Sequence, residues 1–179
     1  MRSFISALCF FISGAVSAQQ VVISGKPGNR PLVWSDFSGK PDASSPFFAM
    51  TYWSLNYSTS NVTIVDGTVN IGSFNVVLEL DPKYSWVKKD KGTDDLLQHE
   101  QGHFYLALMC MKELLAKEKE QVFTKNNLNR QVQALFDDVM KKYRDLEEVY
   151  DKETDHSKNA EQQKKWNEYF KTQSGLTNN

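Results

Sequence analysis

The stretch Leu96-Leu97-Gln98-His99-Glu100-Gln101-Gly102-His103-Phe104-Tyr105 organises the reading of the whole chain. On a helix, His99 and His103 stand one turn apart on the same face, with about 6 Å between Cβ atoms, close enough to grip one ion. Glu100 projects beside that pair. This is the H-E-x-x-H arrangement, in which two neutral imidazoles bind Zn²⁺ and the glutamate serves as general base to an activated water. The plainer reading of the same residues is a solvated helix face, so the surrounding sequence has to decide.

Thr93 is a suitable cap, and Asp94 and Asp95 suit the positive end of a helix. Apolar residues then recur at Leu97, Phe104, Leu108, Met111 and Leu115, with Val122 and Phe123 near the end. The spacing predicts one amphipathic helix over roughly residues 94–123. Gly102 in its middle costs about 1 kcal/mol against alanine, which a close-approaching strand or substrate would account for. Asn126 and Asn127 interrupt the pattern. Leu128, Val132, Leu135, Phe136, Val139, Tyr143, Leu146 and Tyr150 then form a second apolar stripe of similar length.

Helix geometry selects a third ligand. From His103 to the break is about 22 residues, or roughly 33 Å at the helical rise. An antiparallel return of the same length brings Tyr150-Asp151-Lys152-Glu153-Thr154-Asp155-His156 level with the first two histidines. His156 is the remaining histidine of the chain and the favoured third ligand. Glu153 and Asp155, or Glu147 and Glu148, are rival oxygen donors, whereas Glu118 and Glu120 lie roughly 20 Å or more down the first helix. Leu106 and Met109 stand where a metzincin would have its glycine and third histidine. Residues 160–173 read as a closing helix, with Trp166, Tyr169 and Phe170 as core.

The front half reads as strands. Val21 to Ile23 is a short first run, and Gly39 to Pro46 is loop. Thr51, Trp53, Leu55 and Tyr57 alternate onto one face. Asp66-Gly67 is a two-residue hairpin signal between Val62–Val65 and Thr68–Leu80, and Phe74, Val76, Leu78 and Leu80 alternate in the second arm. The expected fold is α+β. A small antiparallel sheet in the N-terminal half packs on a long antiparallel helical hairpin that carries H-E-x-x-H, followed by a short C-terminal helix. An edge strand near the metal would hold an extended peptide by strand addition.

The chain has 179 residues, 40% of them hydrophobic, and a formal charge of −1 from 21 basic and 22 acidic residues. That size suits one domain, and the balance gives no basic surplus for nucleic acid. Arg2, the apolar run Phe4 to Val16 and the small residues Val16-Ser17-Ala18 read as a secretory leader, residues 1–18, cut after Ala18. The expected mature protein, residues 19–179, is β-rich over 21–84 and helical over 94–173. It has no further segment apolar enough for stable membrane insertion. Loss of Arg2 and Cys9 leaves a net charge of −2 and one thiol, Cys110, read as a packed core residue. The expected location is periplasmic or secreted.

Three segments carry a family resemblance: Leu32-x-Trp34-x-Asp36-Phe37-x-Gly39, Leu96-Leu97-x-His99-Glu100-Gln101-Gly102-His103-Phe104, and Tyr150-Asp151-x-Glu153-Thr154-x-His156. In these the chain resembles a bacterial family described as secreted zinc-dependent proteases, also known as a domain of unknown function. The resemblance implies a zinc site and hydrolysis of peptide bonds. Ser157 stands where that family commonly has glycine.

The expected mechanism is a metallopeptidase with one Zn²⁺ per chain on His99, His103 and His156, acting on a peptide or protein substrate. Glu100 is the general base. Tyr150, backed by Tyr143, is the expected oxyanion donor, and Glu153 or Asp155 the group that orients a ligand imidazole. Two rivals remain. One is a non-catalytic exported zinc-binding or interaction protein with a closed four-ligand site, and the other a hydrolase of a non-peptide bond.

Overall fold

The computed structural model describes residues 16–174. In chain order the elements are β1 (Val16–Ile23), β2 (Lys26–Pro27), a 3₁₀ turn (Trp34–Asp36), β3 (Ala49–Met50), β4 (Trp53–Val65), β5 (Thr68–Leu80) and β6 (Trp86–Val87). They continue with α1 (Asp94–Glu120), β7 (Phe123–Thr124), α2 (Leu128–Thr154) and α3 (Ala160–Ser174). The α+β expectation holds. The expected leader lies outside the described residues except for 16–18, which open β1.

The larger sheet has the order β2-β1-β5-β4, and β3 pairs with β6 in a separate two-stranded sheet. It is mixed rather than purely antiparallel. β4 and β5 form the expected hairpin, closed at Val65↔Thr68 with Asp66 and Gly67 at φ 50° and 80°. Such a two-residue turn requires positive φ at both positions, which aspartate and glycine tolerate best. β1, however, runs parallel to β5 from Val16↔Ser73 to Ile23↔Leu80. Alternation of side chains reports which face a residue takes and says nothing about strand direction.

One face of this sheet is the core. Phe74, Val76, Leu78 and Leu80 are all buried, as their alternation predicts. α1 lies against that face with α2 and α3 on its far side, so it is covered nearly all round from Phe104 to Met111. Thr93 caps it by accepting a hydrogen bond from Leu96 N (3.2 Å). It stops at Glu120 rather than 123 because Phe123 leaves the helical path to pair with Val69 of β5 and bury its ring.

Contacts between α1 and α2 run in reverse order, His99 with Asp151, His103 with Glu147 and Glu113 with Lys142, as an antiparallel hairpin demands. Cys110 is the expected core thiol, fully buried against Met140, and burial pushes its pKa up to about 12. Among the described residues no helix is long and apolar enough to cross a membrane.

Candidate metal centre

All three histidines meet at one oxygen. Asp151 Oδ1 lies 3.1 Å from His99 Nε2, 3.1 Å from His103 Nε2 and 3.3 Å from His156 Nδ1. Among these donors, one atom each from His99, Asp151 and His156 fall within 4.8 Å of one another, a cluster able to hold a metal ion. A tetrahedral zinc site with bonds of about 2.0 Å has donor–donor edges of about 3.3 Å. The three edges that meet at Asp151 Oδ1 are of that length, although His103, at 3.1 Å from that oxygen, is not part of the group whose donors all lie within 4.8 Å of one another.

The far sides of the first two rings are also engaged. His99 Nδ1 faces Gln163 Oε1 at 3.2 Å and Thr154 Oγ1 at 3.4 Å, and His103 Nδ1 faces Glu147 Oε1 at 3.3 Å. An imidazole that ligates through Nε2 needs an acceptor of this kind for its Nδ1–H, which fixes both tautomer and ring angle. Glu147 is itself anchored by Trp53 Nε1 (2.8 Å), tying the sheet to the site.

Electrostatics match the donor set. Burial opposes a charged imidazole at His103, but hydrogen bonds to Asp151 and Glu147 and the charge of Glu100 outweigh it and raise its pKa to about 10. For Asp151, burial works upward, while the bonds and charges of His103 and His99 hold the carboxyl well below the usual range. The arrangement thus favours the charged form of His103 beside an Asp151 carboxylate. A metal ion would take over the positive charge as the proton leaves.

His156 arrives by a different device. α2 ends at Thr154, and Asp155, His156 and Ser157 follow with φ of 45°, 49° and 77°. Three successive left-handed residues, none a glycine, turn the chain back on the helix it has just left. The N–H groups of Asp155 and His156 both donate to Asp151 O. Strain of this kind persists only where its surroundings enforce it, and it collects at functional sites. The φ of Ser157 also explains why glycine suits that position.

Several expectations need correction. Tyr150 is fully buried, donates its hydroxyl to His99 O (2.9 Å) and accepts from Gln163 Nε2 (2.8 Å), so it has no free hydrogen for an oxyanion. Burial holds its phenol far above the usual range. Its hydroxyl instead supports the helix that carries His99 and His103. A Cβ on Gly102 would stand 2.5 Å from Tyr150 Cζ and closer still to the hydroxyl, so the phenol, not a strand or substrate, accounts for the glycine.

Tyr143 is spent on Glu113 (3.0 Å), further along the hairpin. Glu153 accepts from Trp166 Nε1 (2.8 Å), and Asp155 is exposed beside Lys158; the groups that face the ligand rings are instead Gln163, Thr154 and Glu147.

Glu100 is buried behind the histidines. Thr51, the residue after β3, donates its hydroxyl to Glu100 Oε2 at 2.6 Å. Both residues line a cleft of about 320 Å³ with His99, His103, Asp151 and His156. Residues 47–51 form its opposite wall, where Phe47 packs its ring on His156 at 4.5 Å. Gln101, between the histidines, turns away to accept from Leu32 N (2.6 Å). That bond fixes the segment leading to Asp36, which is buried under a bidentate Arg30.

Residues 35–157 match a family described as bacterial proteins of unknown function (DUF922), a stretch that takes in more than half of the chain. The chain belongs to this family. The matched stretch includes Asp36, all three histidines, Glu100 and Asp151, while Gln163 on α3 lies beyond it. No curated protein and no solved structure matches the chain.

Proposed function

We propose that this protein is an exported zinc-dependent metallopeptidase that takes one Zn²⁺ per chain. What supports this best is the convergence of three imidazole nitrogens on Asp151 Oδ1 in an open cleft that Glu100 also lines. His99, His103 and His156 would hold the ion, with Asp151 as the adjoining carboxylate. Bound zinc supplies the Lewis acidity that lets water act as a nucleophile near neutral pH. Glu100, with Oε2 held by Thr51, uses its other oxygen to take the proton from water and deliver it to the leaving amine. The Asp151 side chain is 31% exposed, so it has room to swing aside, as this mechanism requires, when water and substrate enter.

A polypeptide suits the cleft wall. Lys88 N donates to Phe48 O (2.7 Å), so Phe48 and Met50 turn their backbone groups toward β6. In an antiparallel ladder the residue between them faces the other edge. The N–H and C=O of Ala49 therefore lie on the edge that β6 leaves free, and Ala49 lines the cleft. An extended peptide adds there as a further strand. Export rests on the leader read from residues 1–18.

The second reading is a non-catalytic zinc-binding protein, favoured by one observation: Asp151 already supplies a fourth protein donor. Zinc per chain and cleavage of a mixed peptide library, measured on purified residues 19–179, separate the two. The peptidase reading expects one zinc in the wild type and in Glu100→Gln, with cleavage by the wild type alone. It also expects Asp151→Asn to keep its zinc, whereas a closed four-donor site loses it. Cleavage surviving in Glu100→Gln overturns the assignment of the base, and a wild type without zinc overturns both readings.

A further inference from the structure

Thr51 is the one residue of the β-rich half whose side chain touches Glu100 in the described hydrogen bonds, and it does so from a fixed position. Its backbone is clamped on both sides. Met50 pairs with Trp86, Tyr52 N donates to Ser85 Oγ (3.0 Å), and Asp81 N donates to Tyr52 O (3.0 Å). Threonine is also stiff at χ1, since two heavy atoms on Cβ leave few rotamers open. Its hydroxyl proton is thus aimed at Glu100 Oε2 by a short, buried bond, with Glu100 O a longer second acceptor at 3.2 Å.

We infer that Thr51 is a positioning residue for Glu100, selecting which carboxylate oxygen faces the reacting water. The inference rests on the metallopeptidase reading and deepens it. A carboxylate has two equivalent oxygens and a free terminal torsion, so an unrestrained Glu100 samples orientations in which neither lone pair addresses the water. The Thr51 bond removes one oxygen from that competition and leaves the other on the cleft side. Because Thr51 closes the strand segment that walls the cleft, a peptide seated along Ala49 is placed by the same backbone that places the base.

The test is the zinc-loaded protein with Thr51→Val, which is isosteric but cannot donate, Thr51→Ser, which can, and Thr51→Ala as a second variant without a donor. The substrate is an internally quenched peptide that the wild type cleaves. Loss of one hydrogen bond to a charged group corresponds to about 10–100-fold, and the fall is expected in kcat with KM and zinc content unchanged. Thr51→Ser should recover most of the rate. On a Glu100→Ala background, Thr51→Val should add nothing to the residual rate.

A fall of less than twofold in Thr51→Val, an equal fall on the Glu100→Ala background, or a Thr51→Ser variant as slow as Thr51→Val would overturn the inference. If the wild type cleaves no peptide, the metallopeptidase reading fails separately. The positioning claim is then read from the ¹³C resonance of the Glu100 carboxyl, expected to shift and broaden in Thr51→Val and Thr51→Ala but not in Thr51→Ser. An unchanged resonance in the two variants without a donor overturns it.

Discussion

The two halves of the candidate metal centre are built by opposite means. His99 and His103 stand on an uninterrupted helix, with side chains 3% and 13% exposed. His156 stands on three consecutive left-handed residues past a helix end, and its side chain is 37% exposed. In the first case regular hydrogen bonding sets the geometry before any ion arrives. In the second, position depends on backbone that L-residues adopt at a cost. The two donors on the helix are therefore preorganised, and the one on the turn has room to move when an ion or a substrate enters.

Replacing the donors one at a time is the strongest way to break that contrast. His99→Ala or His103→Ala removes a preorganised ligand and leaves Asp151 short of a partner in a largely buried setting, so zinc retention should be lost outright. His156→Ala removes a ligand that has more room to be replaced by water, and should weaken retention by at least about 10–100-fold, the scale seen when a group that merely orients a ligand is lost. Competition against a graded series of chelators reads both. Equal loss in all three variants would show that the turn is as firmly part of the site as the helix.

The helical half is also the less forgiving of added volume. Gly102→Ala drives a methyl into the buried Tyr150 ring, which is pinned by Gln163, His99 O and the ring of Trp166. Overpacking of this kind costs about 1–3 kcal/mol, to which the better helix propensity of alanine returns at most about 1 kcal/mol. Urea unfolding of the metal-free protein should show a net loss of about 1 kcal/mol. A neutral or stabilising effect would mean that α2 slides away from α1 more freely than its packing implies.

The same contrast explains what the sequence disclosed. The regular half was legible: the four-residue spacing of His99 and His103, the hairpin signal at Asp66-Gly67, and the length of the return helix follow from fixed periods and rises. Helical rise even placed His156 at the right level. Asp151 was open to the same reasoning, because Glu147 and Asp151 are also four apart and face His103 and His99 across the hairpin. Glu153 and Asp155 stand nearer His156 in sequence, but Glu153 faces Trp166 and Asp155 lies past the helix end beside Lys158.

Other features had no local signal. A buried phenol and a cleft-facing one look alike in sequence, which hid the supporting role of Tyr150. Gln163 is a neutral amide on a helix distant in sequence, and nothing about Thr51 distinguishes a hydroxyl on Glu100 from one more alternating strand residue. The parallel course of β1 depends on which edge of β5 the hairpin leaves vacant, a property of the assembled sheet.

The smallest expected effect sharpens the irregular side of the comparison. Ser157 sits at φ 77°, where an L-residue is held against its preference by about 1–2 kcal/mol. Glycine escapes that strain but loses more freedom on folding, a penalty of roughly 0.5–1 kcal/mol. The first effect is the larger, so Ser157→Gly should stabilise the metal-free protein by about 0.5–1 kcal/mol, or a rise in Tm of about 2–4 °C at most. Ser157→Ala keeps the Cβ and should gain nothing. Zinc affinity is the informative second readout. If surrounding hydrogen bonds, such as Asn159 N to Thr154 O (2.8 Å), hold the turn, glycine leaves affinity unchanged. If the side chain's restriction itself keeps His156 aimed at Asp151, affinity falls while stability rises, and strain in the turn is then part of how the site is made.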